Sequence, residues 1–85
     1  MTRIERAAIR HDGHVYTAAQ FGRHGDVIRS MAAMGLGAGD MYNQGFVTSD
    51  GDFVDRFEAL KIAQAAGQIR EKTGSPNQLF SEDLW

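Results

Sequence analysis

Between Gln44 and Gln68 the sequence reads QGFVTSDGDFVDRFEALKIAQAAGQ, and no other stretch limits the fold so tightly. Phe46, Val47 and Thr48 are strand formers. Ser49-Asp50-Gly51-Asp52 follows as a turn, with a glycine to take the positive φ that a tight hairpin demands. Phe53-Val54 is the return strand. Asp55 then suits a helix N-cap, with Glu58 three residues on to close a capping box. The helix runs to about Ala66. Ala59, Ile62, Ala63 and Ala66 make its apolar face, Phe57 and Leu60 flank it, and Glu58, Lys61 and Gln64 face water. Gly67 ends it. Each signal agrees with its neighbour, the mark of a sequence committed to one conformation. None of them carries a catalytic signature.

The rest of the chain repeats the same order loosely. RIERAAIR at 3–10 and HVYTAA at 14–19 have imperfect strand alternation, and His11-Asp12-Gly13 between them supplies a hairpin turn. In Gly22–Met34, Val27, Ile28, Met31 and Met34 recur at helical spacing, with Arg29 and Ser30 on the other side. Gly25-Asp26 puts small and acidic residues near the free N–H groups of the helix start. Gly35 is the expected left-handed stop, with Leu36 folding back as its apolar contact. Gly37-Ala38-Gly39-Asp40 then reads as a loop, and Met41-Tyr42 as a backward extension of the next strand. The last seven residues, LFSEDLW, hold four large apolar side chains including the single tryptophan, and are expected to dock. Ser81 is placed to cap a final turn.

The expected architecture is therefore α+β: a small, mainly antiparallel sheet of three to five short strands with two helices on one face. One domain of 85 residues contains a hairpin at 3–19, a helix at about 23–34, a strand-turn-strand at 44–54, a helix at 55–66 and a docked tail at 79–85. A chain this short buries about 60–65% of its unfolded surface, so its core is small. It has no cysteine, which removes disulfides and thiolate ligation and fits a reducing compartment. No apolar run reaches the roughly 20 residues of a membrane span, and the N-terminus lacks a signal-peptide core. A cytoplasmic setting without membrane contact is the expectation.

Nine Lys+Arg against eleven Asp+Glu give a net charge of −2. That balance argues against direct nucleic-acid binding, which calls for a basic face. The signs are unevenly placed. Residues 3–29 hold Arg3, Arg6, Arg10, Arg23 and Arg29 against Glu5, Asp12 and Asp26, whereas 40–58 hold Asp40, Asp50, Asp52, Asp55 and Glu58 against Arg56 alone. Such asymmetry can steer a partner.

Few residues invite chemistry. His11-x-x-His14 flanks a turn and lacks the third and fourth ligands of a metal site, so no metal or other cofactor is expected. His24-x-Asp26 has the make-up of an acid–base pair, but a polar cluster at a helix start explains it as well. Asp50-x-Asp52-x-x-Asp55 lacks calcium-loop spacing and is accounted for by turn and cap. Gly35-x-Gly37-x-Gly39 follows a helix instead of opening one, unlike a phosphate loop. No serine sits in a G-x-S-x-G elbow. The balance is toward a protein that is not an enzyme.

The segments AIRHDGHVYT at 8–17, GRHGDVI at 22–28, QGFVTSDGDFVDRFEALKIAQAAGQI at 44–69 and LFSEDLW at 79–85 resemble a family of small uncharacterised proteins carried by bacteriophages and prophages. The resemblance implies a phage accessory protein, and its size and plainness are similar to those of anti-CRISPR inhibitors. The implied function is non-enzymatic: binding and blocking a bacterial defence complex, foremost a CRISPR effector, in the host cytoplasm. A monomer or weak homodimer is expected. Candidate contacts are the acidic turn Asp50 and Asp52, or the set Arg23, His24 and Arg29. The alternative is a small-molecule or nucleotide-binding protein, or a small hydrolase, with a polar site of Arg23, His24, Asp26, Gln44, Glu82 and Asp83 closed by the SEDLW tail. A structural or assembly component of the phage particle is the third option.

Overall fold

A computed structural model describes residues 2–37 and 43–85. The expected strand extension at Met41-Tyr42 and most of the loop at 37–40 lie outside the described residues. Four strands, β1 (Ile4–His11), β2 (His14–Thr17), β3 (Gln44–Thr48) and β4 (Phe53–Asp55), form one antiparallel sheet in the order β2-β1-β3-β4. Helices α1 (His24–Ala33) and α2 (Arg56–Ala65) each follow a hairpin. The fold is a small α+β domain, two ββα units joined through the central β1–β3 pairing.

Turn chemistry places the hairpins. Asp12 and Gly13 both have positive φ, 49° and 78°, which matches the twist of β1 and β2. In the second hairpin Gly51 takes φ 89°, while Gly51 N–H donates to the Thr48 carbonyl and Thr48 N–H to that of Asp52. A bulge between Ile4 and Arg6 shifts the β1–β3 register, so that Ile4 pairs with Thr48 and Ala7 with Phe46.

That register divides the sheet. Ile4, Ala7, Ile9, Phe46 and Thr48 are buried on one face, and both helices pack there. From α1 come His24, Val27 and Met31; from α2 come Arg56, Ala59, Leu60 and Ala63. Both stripes differ from simple hydrophobic spacing. Met34 is 56% exposed and Ile28 lies at the margin of the buried stripe, because the packed face of α1 begins one turn earlier, at His24. Phe57 is 50% exposed and Arg56 takes the inward position beside it.

Helix ends follow local rules. Asp55 caps α2 by accepting the Glu58 N–H at 2.8 Å. Gly35 (φ 82°) ends α1, with its N–H donating to Ala32 and that of Leu36 to Met31. Gly67 (φ 66°) ends α2 in the same way, with Gln68 N–H donating to Ala63. The tail then crosses back over α2: Leu79 N–H donates to the Arg56 carbonyl, and Ser81–Asp83 form a short 3-10 turn. The cap of that turn is the carboxylate of Asp83, which accepts from Phe80 N–H at 2.8 Å, in place of the expected Ser81.

Candidate functional site

Where α1 meets β3 and the tail, polar side chains come together inside the fold. His24 opens α1 and points inward, 6% exposed, edge-on to the Phe46 ring at 4.9 Å. Its Nε2 lies 2.7 Å from the Gly45 carbonyl oxygen, so Nε2 carries the proton, and Nδ1 is left to accept from the Ser81 hydroxyl at 3.4 Å. Burial first, then the positive charge of Arg56, lower the His24 pKa from 6.5 to about 4; the Gly45 hydrogen bond and Glu82 act weakly the other way. The imidazole is neutral at pH 7.

Arg56 is the second buried group. Its guanidinium donates to the Leu79 carbonyl (2.7 Å) and to Gln44 Oε1 (2.6 Å), and stacks over the Phe80 ring at 4.6 Å. Burial lowers its pKa, opposed by the carboxylates of Glu82 and Asp83. Glu82, exposed on the 3-10 turn, thus acts electrostatically on both His24 and Arg56.

Asp83 is fully buried. Its carboxylate accepts from Thr73 N–H (2.5 Å), the Thr73 hydroxyl (2.6 Å) and Phe80 N–H, and pairs with the Lys72 ammonium at 3.0 Å. Burial alone would raise its pKa; these donors outweigh burial and hold it below the usual carboxylate value. It is a clamp for residues 70–83, since its carbonyl also accepts from Arg70 N–H.

Of the polar residues that the sequence singles out, the structure gathers His24 and Gln44, with Glu82 in electrostatic reach, around Arg56. Arg23 and Asp26 are turned elsewhere, and Asp83 acts on Arg56 electrostatically while its hydrogen bonds go to Thr73 and Phe80. Asp26 accepts from Arg23 N–H at 2.8 Å and pairs with the Arg29 guanidinium, all at the exposed start of α1. Asp50 lies on the β3–β4 turn, accepting from the Thr2 hydroxyl at 2.6 Å, and Asp52 is exposed beside it. His11 and His14 face each other across the first hairpin, and His11 sits 3.4 Å from Asp12.

A second constellation escapes sequence reasoning. Trp85 packs on the loop between β2 and α1: its indole N–H donates to the Gly22 carbonyl at 2.9 Å, and the Arg23 guanidinium donates to its main-chain oxygen at 2.7 Å. Phe21 stands edge-on to the indole, ring centres 5.8 Å apart, yet is 65% exposed and has φ 67°. A bulky aromatic residue in the left-handed region costs about 1–2 kcal/mol. Beside it opens a groove of about 360 Å³ lined by Glu5, Gln20, Phe21, Gln68 and Trp85 among others.

The sequence model of the phage T4 y16D protein family matches residues 3–85. The chain belongs to that family. No curated protein and no solved structure matches it. Membership in the y16D family makes this a phage protein; among the described residues no helix is long and apolar enough to cross a membrane.

Proposed function

We propose that the protein is a non-enzymatic phage accessory factor that binds a bacterial defence complex, foremost a CRISPR effector, and occludes its working surface. One observation carries the reading: Phe21 is held exposed and backbone-strained against Trp85, flanked by exposed Arg23. Backbone strain at an exposed position is characteristic of functional surfaces. Aromatic and arginine side chains are also the residues that dominate protein interfaces. His24, next to Arg23 in the chain, contributes by fixing α1 to the sheet, while Arg29 extends the surface along the helix. The acidic turn of Asp50 and Asp52 is the second contact. A standard interface of about 800 Å² per partner would cover about a sixth of the 4961 Å² surface.

The test is a stoichiometric complex between the purified protein and a defence effector on size exclusion. Arg23→Glu, or the pair Asp50→Lys and Asp52→Lys, is expected to abolish it. Absence of any complex, together with failure to rescue phage from defended cells, would sink the proposal.

A second reading, a small-molecule or nucleotide-binding protein, is favoured by the convergence of His24, Gln44, Arg56 and Ser81 below exposed Glu82. Its test is thermal stabilisation by a nucleotide panel. A ligand at 100 times its Kd adds about 2.7 kcal/mol, and a flat response across the panel removes this reading.

A further inference from the structure

The helices cover one face of the sheet, and the other face has a chemistry of its own. Strand register puts Arg6, Ala8, Arg10, Gly45 and Phe53 on it. Phe53 lies inward across β3: a Cβ on Gly45 would collide with its ring and with the Val54 carbonyl oxygen. The Arg10 guanidinium stacks on that ring, 4.9 Å from its centre. Ala8, next to Gly45 in register, is fully covered although no helix lies on its side. Arg6 and Arg10 are exposed, and among the described residues neither has a carboxylate partner. Asp55 is the acidic side chain that register assigns to this face, at the β4 edge, and its carboxylate is engaged in capping α2.

We propose that this open face binds single-stranded nucleic acid, with Phe53 and Arg10 as a stacking platform for bases and Arg6 as a phosphate contact. Phe53 is partly buried and carries Arg10 on its ring, so the outer plane of the guanidinium is the surface on which a base stacks and the ring is its support. Arg10 adds a charge at the same point. Arg6 stands four residues along β1, about 13 Å away at strand rise, within reach of a neighbouring phosphate. The net charge of −2 does not oppose this, because phosphates respond to charges within a Debye length of about 8–10 Å. An acidic protein surface would engage the two arginines and make no use of the ring, so Phe53 is the residue that separates the two kinds of partner. This inference stands independently of the proposed function.

The experiment is fluorescence anisotropy with labelled 12-mers of dT and rU and a duplex of equal length, between 50 and 200 mM NaCl. Saturable binding of at least one single strand over the duplex is expected, and the preferred strand assigns DNA or RNA. The log–log salt slope is expected near −1.4 for two phosphates, and Arg6→Gln should bring it toward zero by about 0.7. Phe53→Leu keeps apolar cover over Gly45 and should weaken binding about tenfold with the unfolding midpoint retained. Arg6→Gln, at an exposed position, tests the proposal even if the Phe53 variant unfolds. No saturable binding, equal binding of the duplex, displacement by polyglutamate at equal charge, or unchanged affinity in a folded Phe53→Leu would each overturn it.

Discussion

His24 and Gly45 are joined by a 2.7 Å hydrogen bond from imidazole Nε2–H to the main-chain carbonyl, tying the first turn of α1 to the middle of β3. Protonation would leave this bond in place but take away the Nδ1 lone pair that accepts from Ser81, and burial first, then the guanidinium of Arg56, penalise the charged ring. Position and protonation are therefore linked: the buried place of His24 under α1 favours the neutral ring.

Stability should accordingly fall with acid over a defined window. The unfolded chain takes up the histidine proton near pH 6.5, the folded chain only near 4. Between these values the unfolded state binds more protons, so stability is full above pH 6.5 and declines as pH drops toward 4. The loss is about 3 kcal/mol. Denaturant midpoints at pH 7.5 and 4.5 measure it. His24→Gln should flatten that difference, at the cost of a lower midpoint at pH 7.5.

Asp83 titrates in the opposite setting. Its folded pKa is depressed, so its contribution is complete at neutral pH and is lost only as pH falls through that lowered value, below the histidine window. Asp83→Ala leaves Lys72, Thr73 and Phe80 without their shared acceptor, and should cost about 3–5 kcal/mol. Amide exchange at Thr73 and Phe80 would rise first if the clamp acts on the tail as its bonds indicate. Equal protection in the variant would refute that role.

The α+β architecture was legible because turns and stops depend on dihedral demands within two or three residues. Asp12-Gly13, Gly51, Gly35 and Gly67 all take the positive φ that their local context calls for. Burial of charge was not legible in this way. Arg56 occupies the inward stripe with Ala59, Leu60 and Ala63, but the acceptors that make this tolerable, Leu79 and Gln44, lie 23 and 12 residues away. The i, i+3, i+4, i+7 spacing through Arg56 is the one signal that would have found it, and likewise His24 with Val27 and Met31. Gln44, His24 and Glu82 stood out as polar residues with no local task. Phe21 gave no signal at all, since the partner it meets edge-on, Trp85, lies 64 residues downstream.

Gln68 completes the sheet in place of a strand. Where β2 stops short, its side-chain amide accepts from Ile4 N–H at 2.7 Å and donates to the Ile4 carbonyl at 2.8 Å, reproducing a ladder pair. Gln68→Leu preserves bulk and leaves both main-chain groups unsatisfied at a half-buried edge. A loss of about 1–3 kcal/mol is expected, read as a lower urea midpoint with unchanged slope. Gln68→Glu should be worse than Leu, because a carboxylate would face the Ile4 carbonyl oxygen.

Phe21 separates folding from binding. Asparagine accepts the left-handed region with little strain, so Phe21→Asn recovers about 1–2 kcal/mol of backbone energy and gives up the edge contact with Trp85, worth about 0.5–1.5 kcal/mol. The two nearly cancel. Thermal midpoint should therefore move by only a few degrees, while complex formation with a defence effector is lost. Phe21→Ala keeps the strain and removes the contact, so it should fall below both in stability. If Phe21→Asn leaves partner binding intact, the exposed ring is not the anchor, and the strain at this residue requires another cause.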